Sequence, residues 1–239
     1  MDLKAKLQES INQELNSWTL MENETVQSII QKTFLWMWAI TAIVFAVGYY
    51  MVWLIKSWAI EVSQFTIAFW VSIILWLGLV FAISWFWQKM SYTTLSILAI
   101  LFAVAEWVWL TWVLAYYSTA SIINAFAGAA LLFIIMAIYG YITKTDLTKL
   151  GSMLVVWLIT IITLSLLNMF FFHSQWFDLV LSIIWLLTFL WLTAWNLQTL
   201  KLAAQTWDKR LEIVFWVSLF LDFINIFLYL LRIFGSNND

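Results

Sequence analysis

The side chain with the clearest chemical potential is an aspartate inside an apolar stretch. Asp222 lies in the last long apolar stretch of the chain, in the segment from Leu221 to Gly235. A carboxylate in hydrocarbon costs several kcal/mol, about 2.5 to 3.5 on insertion scales, so it must face a partner, a cavity or a water path. We therefore predict an ion or proton site at Asp222. The alternative is a structural role in a buried hydrogen-bond network.

Three other polar residues in apolar stretches are candidates for the same site. Glu106 lies near the centre of the third stretch, where it either supplies a second carboxylate or stays protonated against a neighbouring helix. Asn225 follows Asp222 by three residues, so both project from nearly the same helical face. Asn196, in the sixth stretch, donates and accepts hydrogen bonds but never ionises. The structural alternative for Asn196 is a polar contact between helices.

The composition indicates that membrane helices position these residues. Hydrophobic residues make up 65% of the 239 positions and charged residues 10%, which is too apolar for a soluble domain. The stretches are continuous rather than alternating, which argues against a membrane β-barrel. We predict an all-α membrane protein of seven helices, with spans of about 20 residues near 34–54, 66–86, 93–117, 122–142, 150–172, 177–197 and 213–234.

The basic residues predict an orientation, because Lys and Arg collect in cytoplasmic loops. A cytoplasmic N-terminus leaves only Lys56 in an outer loop and Arg232 near the outer end of the last helix. Seven spans then place the C-terminus outside; a re-entrant last segment would place it inside. The residues placed in the cytoplasm are Lys4, Lys6, Lys32, Lys89, Lys144, Lys149, Lys201, Lys209 and Arg210.

The sequence divides into a polar N-terminal segment (1–33), a membrane domain (34–235) and a short tail (236–239). The N-terminal segment has apolar residues at near-helical spacing, which predicts an amphipathic cytoplasmic helix. It is either a solvated tail that helps to set orientation or a segment that docks on a membrane surface or a partner. The apolar positions are Leu3, Leu7, Ile11, Leu15 and Trp18.

Three stretches together resemble the transmembrane Bax inhibitor motif family. Residues Tyr139 to Leu154 match the family's signature turn between its fourth and fifth helices. Residues Leu192 to Lys201, Leu-Thr-Ala-Trp-Asn-Leu-Gln-Thr-Leu-Lys, are similar to Leu-Thr-Ala-Tyr-Asp-Thr-Gln-x-Leu-Lys in the family. The third stretch is Leu221 to Gly235.

The resemblance implies both an architecture and a function. It implies a seven-helix bundle with a central last helix, in a bacterial plasma membrane, that leaks calcium or other cations in a pH-dependent way. The implied gate is a pair of aspartates that share a proton, one on helix six and one on helix seven. A different implied function is that of an interaction protein, which modulates a membrane-bound quality-control protease or a stress-response partner.

The sequence departs from the family pattern at the gate. Asp222 matches the helix-seven aspartate, but Asn196 occupies the helix-six position, so a coupled pair of carboxyl groups is impossible. The family's arginine at the end of helix two would fall near Phe86, where the sequence has none. Lys89 could replace it only by reaching inward. This leaves Asp222 as the carboxylate predicted to meet a metal cation.

Enzyme chemistry has little support in the sequence. No His-Glu-x-x-His motif and no glycine-rich phosphate loop is present, and no acid, base and nucleophile are paired. We predict a protein that is not an enzyme, with no cofactor and no nucleic-acid partner.

Tryptophan is unusually frequent and glycine unusually rare. The chain has 19 Trp and 6 Gly, and 6 in 239 is about 2.5% against a usual ~7% for Gly. Trp109 and Trp191 stand where the resembling family commonly has Gly, and Trp157 and Trp216 fall at positions that suit small residues. Either the gene comes from a lineage that reads UGA as glycine, or these are genuine Trp residues of aromatic belts.

Overall fold

The computed structural model describes residues 3–57 and 62–236, which are almost entirely helical and contain no β-strand. Six of the described helices are long and apolar enough to cross a membrane; the fifth is shorter and continues as one π-helical turn, Asn168–Phe172. This confirms the predicted seven-helix membrane bundle. The helices are α1 (Leu3–Lys56), α2 (Val62–Phe86), α3 (Tyr92–Tyr116), α4 (Thr119–Ile142), α5 (Gly151–Leu167), α6 (Gln175–Ala203) and α7 (Arg210–Phe234).

Helix α1 is a single helix of 54 residues, about 80 Å at 1.5 Å per residue. The chain contains no proline to interrupt it, and no break separates the predicted N-terminal segment from the first span. The apolar stretch of α1 that suits a membrane begins at Thr25, so some 20 residues of helix precede it. The side chains of the predicted amphipathic stripe lie outside the described residues.

Helix α7 lies at the centre of the bundle, as the resemblance implied. Within its apolar span, 67% of the residues are buried, against 17 to 47% in the other spans. It packs against α6, α4, α1 and α3. Three fully buried phenylalanines on α7 make edge-to-face ring contacts with these neighbours: Phe220 with α3, Phe223 with α1 and α4, and Phe227 with α1 and α4.

Two of the sequence stretches that carry the family resemblance meet in space. Gly140 on α4 lies against the backbone of Ala194 on α6, where a Cβ atom on Gly140 would come within 2.7 Å of the Ala194 Cα. Beyond this contact, Gln198 accepts a hydrogen bond from Leu147 N (2.7 Å) and donates one to Thr145 O (2.8 Å). A side chain with both a donor and an acceptor therefore fixes the α4–α5 turn onto α6.

Serine side chains begin three of the helices. Ser91, Ser118 and Ser174 accept hydrogen bonds from the backbone N–H groups of Thr94, Ser121 and Phe177, the usual N-cap arrangement. These caps fix where α3, α4 and α6 start, and hence the level at which their polar residues enter the bundle.

The bundle has two ends, which we name by their charged residues. The lysine end carries the α2–α3, α4–α5 and α6–α7 connections, which contain Lys89, Lys144, Lys149 and Lys209. The Arg232 end carries the α3–α4 and α5–α6 connections and the C-terminal end of α7.

Candidate functional site

Asp222 and Asn196 face each other across the contact between α6 and α7, which we call the seam. The amide nitrogen Nδ2 of Asn196 donates a hydrogen bond of 2.7 Å to Oδ2 of Asp222. Both side chains are buried, with exposed fractions of 8% and 3%. A hydrogen bond from a neutral amide stabilises the carboxylate without sharing its proton. The structure thus brings together two of the predicted site residues as one buried pair.

The start of α7 is fixed by an arginine at the lysine end. Arg210 forms an ion pair with Asp208 and donates hydrogen bonds to the carbonyls of Gln88 (2.9 Å) and Met90 (3.2 Å). The neighbouring guanidinium lowers the pKa of Asp208. These contacts join the α6–α7 loop to the end of α2, and they set the depth at which Asp222 enters the bundle.

Arg210 reaches the end of α2, where the resembling family has an arginine of its own. A guanidinium does reach the end of α2, but from α7 rather than from the position of Phe86. It lies twelve residues before Asp222, about 18 Å along the helix axis, so it does not contact that carboxylate. Lys89 is exposed at the lysine end and does not point inward.

Toward the Arg232 end, aromatic rings fill the seam next to the buried pair. Trp185, Phe189 and Tyr229 stack on one another with ring centroids 5.5 to 6.1 Å apart and interplanar angles of 6 to 21°. Trp185 is held by a hydrogen bond of 3.0 Å from its indole N–H to Ser165 on α5. The stack lies between the Asp222–Asn196 pair and the Arg232 end.

Beyond the stack, a polar cavity of about 530 Å³ opens between α5, α6 and α7. Arg232 and Asp178 form an ion pair at its edge, and both are about half exposed. Arg232, predicted to lie near the outer end of the last helix, therefore has an acidic partner on α6. Other polar residues of the cavity wall include Ser165, Asn168, His173, Ser174 and Gln175.

Glu106 lies in a different layer of the bundle. Its side chain is completely buried, and neither oxygen has a hydrogen-bond partner among the described residues. The indole N–H groups of Trp76 on α2 and Trp109 on α3 lie beside it, yet neither reaches hydrogen-bond geometry. No hydrogen bond joins Glu106 to Asp222 in the described part of the chain, so the two carboxyl groups do not form a pair.

Asn225 turns back onto its own helix. Its Nδ2 donates a hydrogen bond of 2.8 Å to the carbonyl of Leu221, and its side chain lines a cavity next to Trp109 and Arg232. The structure thus places Asn225 on the α3 side of α7, whereas Asp222 faces α6. Its predicted role in the ion pathway stays a prediction.

The predicted contact of Asp222 with a metal cation stays a prediction. Within the described residues, no cluster of three or more histidine, aspartate or glutamate side chains could hold a metal ion. A divalent cation such as calcium takes six to eight oxygen ligands when it is bound stably. Asp222 with one amide partner supplies far fewer oxygen ligands than such a stable site needs.

The chain is similar to known proteins over most of its length. The model of the family "Inhibitor of apoptosis-promoting Bax1" matches residues 26–239. The chain belongs to the Bax inhibitor-1-like family. The resemblance inferred from the three sequence stretches is thereby confirmed, and the chain is an integral membrane protein of this family.

Bacterial relatives cover most of the chain. A Borreliella burgdorferi protein is 38% identical over 180 residues, 73% of this chain and 77% of the relative. The inner membrane protein YbhL of Escherichia coli K12 is 37% identical over 171 residues, 69% of this chain and 73% of the relative. A Deinococcus radiodurans protein is 30% identical over 221 residues, 90% of this chain and 93% of the relative.

Some parts of the site are not apparent from single stretches of sequence. The aromatic stack and the Arg232–Asp178 ion pair were both missed. A signal for the ion pair was present, because an acidic residue in the first turn of one helix and a basic residue in the last turn of the next antiparallel helix lie at the same end of the bundle. The stack had no comparable signal among so many aromatic residues.

Proposed function

We propose that this Bax inhibitor-1-like protein conducts cations, with calcium as the ion, along the seam between α6 and α7. The observation that carries the proposal is the buried carboxylate of Asp222 in the middle of the central helix, with a neutral amide as its partner. A carboxylate at this depth is rarely retained without a function. Its negative charge lowers the electrostatic cost of a cation that crosses the hydrocarbon layer.

The arrangement of the seam corresponds to a closed state in this proposal. At the level of Asp222 a hydrogen bond joins α6 and α7, and toward the Arg232 end the stacked rings of Trp185, Phe189 and Tyr229 lie between the two helices. Conduction requires α6 and α7 to separate enough to break the Asn196–Asp222 hydrogen bond and to displace the stack. The polar cavity beyond the stack then serves as the vestibule where cations enter or leave.

The absence of a second carboxyl group changes the expected gating. In a pair of aspartates, loss of the shared proton creates repulsion that can open a closed packing. Asn196 cannot supply this repulsion because it does not ionise. The proposed pH influence is therefore weaker in this chain than in relatives that have aspartate at the position of Asn196.

Calcium flux into liposomes tests the proposal. The purified protein is compared with Asp222→Asn, which removes the charge and keeps the shape of the side chain. We expect calcium flux to change several-fold. Asp146→Asn is the matched control, since it makes the same substitution in the exposed α4–α5 turn. Equal flux in the wild type and in Asp222→Asn would reject conduction through the seam.

A second candidate function is that of an interaction protein for a membrane-bound protease or a stress-response partner. The observation that favours it is the length of α1, which extends some 20 residues beyond the apolar stretch that suits the membrane. Removal of residues 1–24 tests it. Loss of a co-purifying membrane protein with unchanged calcium flux would support this function, and loss of flux alone would oppose it.

We further propose a bacterial plasma membrane location with a cytoplasmic N-terminus. The relative named as an inner membrane protein supports the location, and the basic residues at the lysine end support the orientation. Reporter fusions that are active on only one side of the membrane test both termini. An N-terminal fusion active on the outer side would reverse the orientation.

A further inference from the structure

A buried carboxyl group outside the seam has no assigned role. The Glu106 side chain is fully buried near the centre of α3, without a hydrogen-bond partner in the described part of the chain. An ionised carboxylate without a partner is far more costly in such a place than a neutral carboxylic acid. The geometry therefore favours a side chain that carries a proton.

Among the described residues, the groups that face Glu106 do not include a compensating charge. Helix α3 packs against α2, α1 and α7. Residues 33–55 of α1 and 69–88 of α2 contain no acidic, basic or histidine residue. On α7, Asp222 is bonded to Asn196, Glu212 pairs with Lys32 at the lysine end, and Arg232 pairs with Asp178.

Helix α7 separates Glu106 from the seam. Phe102, one turn before Glu106 on α3, packs against Trp216 and Phe220 of α7 with ring centroids 6.0 and 5.7 Å apart. Asp222 follows Phe220 by two residues, about 200° further round the helix, and faces α6. The two carboxyl groups thus lie on opposite sides of the central helix.

A cavity of about 510 Å³ opens beside α2, α3 and α7 at the Arg232 end. Its wall includes Val113, Asn225 and Arg232, and it also includes Trp109, the residue that lies beside the Glu106 carboxyl group. Asn225 and Arg232 give the wall of this cavity polar side chains. The cavity thus reaches Trp109, which lies beside Glu106, and neither Asp222 nor Asn196 forms part of its wall.

We propose that Glu106 is a second proton-binding site of the membrane domain, independent of Asp222 and reached through the cavity beside Trp109 and Asn225. The ligand is a proton, held as a neutral carboxylic acid between α2 and α3. The site exchanges its proton with the compartment at the Arg232 end. This proposal holds whether or not the seam conducts cations.

Infrared spectroscopy of the full chain in lipid tests the site directly. We expect the carbonyl stretch of a protonated carboxylic acid in the wild type and in Asp222→Asn, and its loss in Glu106→Gln. In Glu106→Asp the band should persist at a shifted frequency, which shows that the fold tolerates the position. Absence of the band from the wild type, or its loss in Asp222→Asn, would overturn an independent site.

The route is tested by blocking the cavity. The chain has no cysteine, so a bulky membrane-impermeant thiol reagent reacts only where a cysteine is introduced. Labelled Val113→Cys should slow hydrogen–deuterium exchange of the Glu106 band at least tenfold. Labelled Gln88→Cys, at the lysine end, should leave the exchange rate unchanged. Unchanged exchange after labelling at position 113, or equal slowing by both labels, would overturn the proposed route.

Discussion

The α6–α7 seam buries the carboxyl group of Asp222, and the contact between α2 and α3, which we call the α2–α3 layer, buries that of Glu106. The two carboxyl groups have different surroundings. In the seam, Asp222 has a hydrogen bond from Asn196, and Trp185 has one to Ser165. In the α2–α3 layer, Glu106, Trp76 and Trp109 have polar atoms that are buried and unpaired, within the described residues. Buried polar groups in folded proteins are nearly always paired. Within the described residues, the Asp222 carboxyl group therefore has a hydrogen-bond partner, whereas the Glu106 carboxyl group has none.

The unpaired indoles bear on whether some of the many tryptophans are glycine in the native protein. Among the described residues, buried indole nitrogens without a partner occur at Trp76, Trp109, Trp195 and Trp216. A buried Trp usually finds an acceptor for its N–H group. Trp191 and Trp157 instead turn toward an apolar groove between α5 and α6, where Trp157 donates a hydrogen bond to Thr188. The indole N–H of Trp157 thus has a hydrogen-bond acceptor, whereas the four buried indoles named above have none among the described residues.

The largest effect is expected where tryptophan replaces a small residue. We predict that positions 109 and 191 are glycine in the native organism. Because overpacking costs typically about 1 to 3 kcal/mol per site, Trp109→Gly should raise the thermal stability of the protein. A genuine tryptophan would give the opposite result, since truncation of a packed Trp costs about 3 to 5 kcal/mol.

Mass spectrometry of the protein from its source gives a direct answer, because glycine and tryptophan differ greatly in mass. Trp185→Gly is the matched control for stability, since Trp185 is hydrogen-bonded and stacked and its loss should destabilise the bundle. Tryptophan in the native peptides that cover positions 109 and 191 would end the recoding hypothesis and make the α2–α3 layer a genuine exception.

The next largest effect is expected from a variant that turns the Asp222–Asn196 pair into two coupled carboxyl groups. Asn196→Asp places two carboxyl groups at hydrogen-bond distance, where they share one proton. Calcium flux into liposomes should then rise with pH, with a transition between about pH 5 and 8, because deprotonation adds repulsion between α6 and α7. The unmodified chain should show at most a shallow pH response. A steep transition in the unmodified chain that Glu106→Gln abolishes would mean that the two regions are coupled after all.

A smaller effect on calcium flux is expected when the aromatic stack is disrupted. Tyr229→Ala removes the α7 ring that stacks on Trp185 and Phe189 of α6, which should open the seam between Asp222 and the polar cavity. Calcium flux should increase several-fold. Phe171→Ala removes an aromatic ring that is 73% exposed at the same end of the bundle, and it should have no effect. Equal changes in both variants would show that the stack does not close the seam.

The smallest effect concerns the anchor at the start of α7. Asp208→Asn weakens the pair with Arg210 and should lower stability by about 0.5 to 1 kcal/mol, since the pair is partly exposed. Because Arg210 lowers the pKa of Asp208, the pair stabilises the fold above about pH 4, the ordinary value for aspartate. That contribution is lost as pH falls through the lowered pKa. Melting curves at neutral and strongly acidic pH should therefore differ between wild type and variant only at neutral pH.

Much of the fold follows from local sequence. Seven apolar stretches predict the helices closely, because a helix that crosses a membrane must satisfy all its backbone hydrogen bonds internally and present apolar side chains to lipid. The predicted stretch 213–234 matches α7 within three residues at its start. Helix α1 runs through the predicted border at residue 33 without a break, since a change of polarity does not interrupt a helix that lacks proline; the border stays a prediction.

The sequence by itself determined that the chain is a membrane bundle, that Asp222 is buried in it, and that Asn196 prevents a pair of carboxyl groups. These follow from side-chain type and hydropathy alone. Only the tertiary structure decided which polar residues meet. Glu106 and Asp222 are both mid-membrane acids, yet α7 stands between them, and Asn225 faces α3 although it follows Asp222 by only three residues. Side-chain partners depend on how helices are rotated and packed against one another, and hydropathy along one chain contains little information about that rotation.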